Sequence, residues 1–85
     1  MKCSIKIFAG LREAIGDESI SIEMNSGVTA KQCKERLAAR YPQVAELISV
    51  SRLAVSQAFV NDEDRLPLDA SRAVEIALIP PVSGG

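Results

Sequence analysis

The chain has 85 residues, of which 47% are hydrophobic and 25% charged, with a formal net charge of −1. That is room for one small globular domain, and the composition argues against disorder. The near-zero charge and scattered Lys and Arg argue against a nucleic-acid or anionic-lipid partner, so neither nucleic acid nor membrane is expected. There is no apolar run long enough to span a bilayer, and Met1-Lys2 leads into an alternating stretch instead of a signal-peptide core, so the expected location is cytoplasmic.

Cys3, Ile5, Ile7 and Ala9 alternate with Lys2, Ser4, Lys6 and Phe8, which predicts a strand with one apolar face and leaves Phe8 on the polar side. Gly10 ends it, Leu11 to Ile15 allows one or two helical turns, and Gly16-Asp17 reads as a turn. Ser19 to Met24 alternates again, with Ile20, Ile22 and Met24 on one face, and predicts an antiparallel hairpin with the first strand. Thr29 followed by Gln32 is a capping box, and Ala30, Cys33, Leu37 and Tyr41 make one helical face up to Pro42, with Lys31, Lys34, Glu35 and Arg40 mostly elsewhere.

Gln43 to Ser49 predicts a short second helix and Ser51-Arg52 a turn. Leu53 to Val60 predicts one further strand, Asn61-Asp62 a turn, and Glu63 to Leu66 a short edge strand ended by Pro67. Ala73 to Ile79 is the last strand, with Val74, Ile76 and Leu78 on one face and Glu75, Ala77 and Ile79 on the other. The order predicts an α+β domain over residues 1–79, with the last strand parallel to the first in the sheet centre.

Residues 80–85 read as a tail. Pro80 and Pro81 stop sheet pairing, and Val82, Ser83, Gly84 and Gly85 follow. Terminal glycines lack a Cβ and fit a channel that side chains would block. The chain has no His, and its two cysteines, Cys3 and Cys33, lack CxxC spacing, so a zinc site is not expected and both thiols read as core. With so little acid–base equipment, the function is expected to reside in the Gly85 carboxylate, delivered into another protein.

Five stretches carry a resemblance: Ile5-Lys6-Ile7-Phe8-Ala9; Arg12-Glu13 with Gly16; Leu53-Ala54-Val55-Ser56-Gln57; Glu75-Ile76-Ala77; and Pro80-Pro81-Val82-Ser83-Gly84-Gly85. In this order the chain resembles the family of small, sulfur-carrying subunits of molybdopterin synthase. The departures are Ser56, where that family often has Asn, Arg72-Ala73-Val74, where it usually has Asp-Gly-Asp, and Leu78-Ile79, where aromatics often stand.

The resemblance implies a ubiquitin-like β-grasp fold, a mixed sheet of about five strands on one main helix. It implies that an ATP-dependent activating enzyme adenylates Gly85 and that a sulfur donor converts the adenylate to a thiocarboxylate, with no cofactor bound by the chain. It further implies that the tail enters the large synthase subunit, in a heterotetramer, and gives its sulfur to cyclic pyranopterin monophosphate to build the molybdopterin dithiolene, with the catalytic groups on the large subunit. Gly84 would let the tail thread, and Pro80, Pro81, Val82 and Ser83 would line its passage. Phe8, Phe59 and Ile79 match the family's partner contacts. Simple alternation from Leu53 and Val55 puts Phe59 inside, however, and a bulge would be needed to turn it out. Arg12 and Glu13 read as a solvated loop pair or a contact with the activating enzyme. Three other readings stay open: a thiamine-pathway sulfur carrier, a ubiquitin-like modifier conjugated through Gly85, and a plain interaction domain.

Overall fold

The computed structural model describes residues 2–68, 71 and 74–81. Its first strand, β1 (Lys2–Ile7), alternates strictly between exposed and buried residues, and β2 (Ser19–Glu23) does the same. The two pair antiparallel with Ile5 opposite Ile20 and Cys3 opposite Ile22, so one-face burial sets the register. Between them lies α1 (Ala9–Ile15), which buries Leu11 and ends on Gly16 at φ 86°, whose N–H donates to the Arg12 carbonyl. Only glycine takes that left-handed cap without a Cβ penalty.

The expected apolar position at Ala9 is corrected. The strand stops at Ile7, and Ala9 takes φ 50° and turns the chain into α1, leaving its side chain exposed. Arg12 and Glu13 accordingly lie exposed on a helix and not in a loop.

The main helix α2 (Ala30–Arg40) begins with both halves of the Thr29–Gln32 capping box formed. Ala30, Cys33 and Leu37 are buried and Tyr41 packs half-buried against the core. Lys34 departs from its expected placement: it is buried, for reasons given below. A 3₁₀ turn (Pro42–Val44) and α3 (Ala45–Val50) follow, and Ser51 caps α3 with its side-chain hydroxyl on the Leu47 carbonyl.

Beyond α3, β3 (Arg52–Val55), β4 (Ala58–Phe59) and β5 (Ile76–Ile79) complete a five-stranded sheet in the order β2-β1-β5-β3-β4. β5 lies in the centre, parallel to β1 and antiparallel to β3. The parallel pair is possible because α2 lies in the crossover between the two strands. One face of the sheet joins α2 in a single core of Ile5, Ile7, Ile20, Cys33, Leu37, Leu53, Ile76, Leu78 and their neighbours. The result is a mixed sheet folded around one main helix, as expected.

Three sequence expectations around β3–β5 need correction. The stretch 53–60 is two short strands, because Ser56 and Gln57 take φ 49° and 70° and reverse the chain. Two consecutive positive-φ residues make the tight hairpin turn whose twist matches that of paired strands. Residues 63–66 do not form an edge strand. They make one isolated bridge, Thr29 to Arg65, and then bury Leu66. β5 begins at Ile76, although half-buried Val74 still packs against the core. Ala73, at the expected start of that strand, lies outside the described residues.

Candidate functional site: the end of the central strand and the open sheet face

The site is built where β5 leaves the sheet. Ile79 is its last residue, Pro80 is half-buried and Pro81 exposed. Proline supplies no ladder donor, so pairing stops at this point. The expected tail residues Val82, Ser83, Gly84 and Gly85 lie outside the described residues.

Beside this exit the sheet face turned away from α2 carries three residues singled out in the sequence. Phe8 is 41% exposed and Phe59 54% exposed, and Ile79 is half-buried. The β1–β5 register pairs Ile7 with Leu78, and continued by one residue it sets Phe8 opposite Ile79. Phe8 has extended backbone, φ −136° and ψ 162°, consistent with that continuation. On the other side of β5, Ile79 is paired with Arg52. The Arg52 guanidinium sits 4.4 Å from the centroid of the Phe59 ring.

Phe59 reaches this face through the hairpin, not through a bulge. It pairs with Ala54, and cross-strand partners share a face. Ala54 points away from the core side of Leu53 and Val55, so Phe59 does too. Counting alternation straight through 53–60 fails because the count restarts at the Ser56-Gln57 reversal. The positive φ at Ser56 also fits the Asn that the resemblance leads one to expect there, since Asn tolerates the left-handed region better than Ser does.

Arg52 is the contributor that sequence reasoning missed. Its place beside Phe59 follows from the hairpin, and the only available signal was the pairing of a cation and an aromatic across a turn.

The remaining polar features are structural. Arg36 and Arg65 line a groove of about 630 Å³, but each already donates to a backbone carbonyl, Glu23 and Gly27 respectively. Both cysteines are buried. Burial pushes the Cys33 thiol up to about 12 and raises Cys3, so neither is a ready nucleophile. Among the described residues no cluster of His, Cys, Asp or Glu is placed to hold a metal ion, and no helix is long and apolar enough to cross a membrane.

Residues 5–85 match the ThiS family model. The chain belongs to the ThiS family. Among its relatives is the molybdopterin synthase sulfur carrier subunit of Dictyostelium discoideum, 37% identical over 82 residues, covering 95% of this chain and 93% of that protein. Two solved structures show that this ThiS-family chain shares their fold. One is small archaeal modifier protein 1 of Haloferax volcanii, with TM-score 0.74, 19% identity, and 95% and 98% of the two chains covered. The other comes from the complex of subunits 1 and 2 of the molybdopterin-converting factor of Helicobacter pylori, with TM-score 0.64, 21% identity and both chains covered in full. The fold is thus the ubiquitin-like β-grasp that the resemblance implied.

Proposed function

We propose that this chain is the sulfur-carrying small subunit of a molybdopterin synthase. The observation that carries the reading is the junction of two things in a ThiS-family chain: the central strand runs out at Ile79-Pro80, and an exposed apolar face stands beside that exit. The names of the curated relatives support it.

The chemistry follows from the terminal carboxylate. An α-carboxyl ionises near about 3.5, so at neutral pH it is an anion and a poor electrophile. Attack of the Gly85 carboxylate on the α-phosphorus of ATP would release pyrophosphate and leave an acyl adenylate. Sulfide-level sulfur from the donor would then attack the acyl carbon and displace AMP, leaving a thiocarboxylate. That sulfur would attack a carbon of cyclic pyranopterin monophosphate inside the large subunit and displace an oxygen substituent, water would cleave the acyl–sulfur bond and return the Gly85 carboxylate, and two such deliveries would furnish the dithiolene. Gly84 gives the tail a narrow cross-section, Pro80 and Pro81 set its direction, Val82 and Ser83 line its passage, and Phe8, Phe59 and Ile79 dock the body.

The test is intact mass spectrometry of the chain after incubation with ATP, the activating enzyme of the same cell and a sulfur source. Replacement of one terminal oxygen by sulfur, absent when Gly85 is deleted, is the expected result. Formation of molybdopterin on adding the large subunit and cyclic pyranopterin monophosphate then distinguishes this carrier from a thiamine-pathway one. An unchanged mass would overturn the reading, and a covalent adduct with other proteins would replace it with the modifier reading.

A further inference from the structure

Arg52 stands on the face just described with no ion-pair partner among the described residues. It is cross-strand to Ile79 on one side and stacked over Phe59 on the other. Glu63 lines the groove beside it, yet among the described residues Arg52 forms no ion pair, and Asp62 in the same groove is held by Lys34. The acid that alternation places on this face of the central strand is Glu75, which lies at the opposite end of β5 from the tail. Arg52 therefore stands between Ile79 and Phe59, while Lys6 and Glu18 lie at the Phe8 end of the face, in a chain whose net charge is −1.

Stacking on an aromatic ring holds a guanidinium plane in one orientation while its N–H groups stay available at the edge. Such a group is pre-organised for a planar, bidentate acceptor. Covering it with an apolar surface would strand a charge away from water, which is strongly unfavourable. Any partner that closes over Phe8, Ile79 and Phe59 must therefore supply an acceptor at this point.

We propose that Arg52 is a specificity-determining residue of the docking face, and that the large-subunit surface receiving the tail presents an Asp or Glu carboxylate to it. This rests on the function proposed above and goes beyond it by stating the charge that the partner surface must carry.

The test measures binding of the full chain to the large synthase subunit of the same organism across a salt series, for wild type, R52K, R52Q and R52E. Thermal melts establish that each variant is folded. R52E is expected to weaken binding by about 30-fold or more, because it sets like charges together. R52Q, which keeps a planar group but no charge, is expected to lose about tenfold and to flatten the salt dependence, with R52K intermediate because it cannot make the fork. Folded R52Q and R52E that bind within about twofold of wild type, with an unchanged salt slope, would overturn the inference and leave the proposed function standing. If the wild-type chain itself does not bind the large subunit, the proposed function fails and the inference falls with it.

Discussion

Lys34 Nζ lies 2.9 Å from Asp62 Oδ1, although the lysine is on the helix that faces the core and is nearly buried. Two further acceptors complete its shell, the Ser49 carbonyl at 3.2 Å and the Ser51 carbonyl at 3.1 Å. An ammonium has three protons to donate, so burial is tolerated here because all three have a place to go. The arrangement ties α2 to the end of α3 and to the turn after β4, next to the strand that presents Arg52.

Removing the lysine takes the donor from two carbonyls, one of them on buried Ser51, whereas removing the acid leaves both carbonyl bonds. Lys34→Ala is expected to destabilise the fold by about 2–4 kcal/mol. Asp62→Asn is expected to cost about 1 kcal/mol or less, because the Asp62 side chain is half exposed and its pairing is screened by solvent. Urea denaturation midpoints of the two variants check the ordering, and equal losses would contradict the assigned roles.

The proposed docking face predicts a separation of binding from folding. Phe8→Asp should weaken binding to the large synthase subunit by about tenfold or more, since an exposed aromatic at the centre of an interface carries a disproportionate share of its energy. Phe8 is not part of the core cluster, so the melting temperature should hardly move. Calorimetric titration with a parallel thermal melt measures both, and unchanged affinity in a folded variant would remove Phe8 from the interface.

The Ser56-Gln57 turn offers a stabilising change. Both residues occupy left-handed backbone at φ 49° and 70°. Asn and Gly are suited to such a pair, so the double substitution Ser56→Asn with Gln57→Gly is expected to stabilise the chain by about 0.5–1 kcal/mol. A higher denaturation midpoint at unchanged slope is the expected result. A lower midpoint would mean that the Ser56 and Gln57 side chains contribute more than their backbone strain costs.

Cys33 predicts an alkaline dependence. Its thiol is held protonated by burial, pushed up to about 12 from an ordinary 9.0. Between those values the unfolded chain loses the proton and the native chain keeps it, so stability falls as pH rises from 9 towards 12. Below 9 both states are protonated and the group contributes no slope. Cys33→Val, compared with wild type in urea titrations at pH 8 and pH 10.5, should show a smaller alkaline loss. At pH 8 the native thiol should also resist iodoacetamide until the chain is unfolded.

Much of the framework was legible from local pattern. Alternation placed β1 and β2 and their buried residues, and Thr29 with Gln32 marked the start of α2, because a capping box is satisfied by residues three apart. The centre of the sheet was also foreseeable, since a helical crossover lets the last strand lie parallel to the first. The terminal motif was legible only as composition, and it pointed to chemistry at Gly85 without any contact to support it.

What escaped local pattern were features that depend on partners distant in the chain or on the sign of a dihedral angle. Lys34 was placed off the apolar face because its acceptors, Ser49 and Ser51, lie fifteen and seventeen residues further on. Simple alternation put Phe59 inside, against its match to a partner contact, because Ser and Gln do not announce a positive-φ reversal as Asn-Gly would, and one turn moves every later side chain to a new face. Arg52 acquired its significance only when the hairpin brought Phe59 beneath it and β5 set Ile79 at its side. Periodicity specifies which face of an element is apolar. Which charges stand on the opposite face, and beside what, is settled by how the strands are laid against one another.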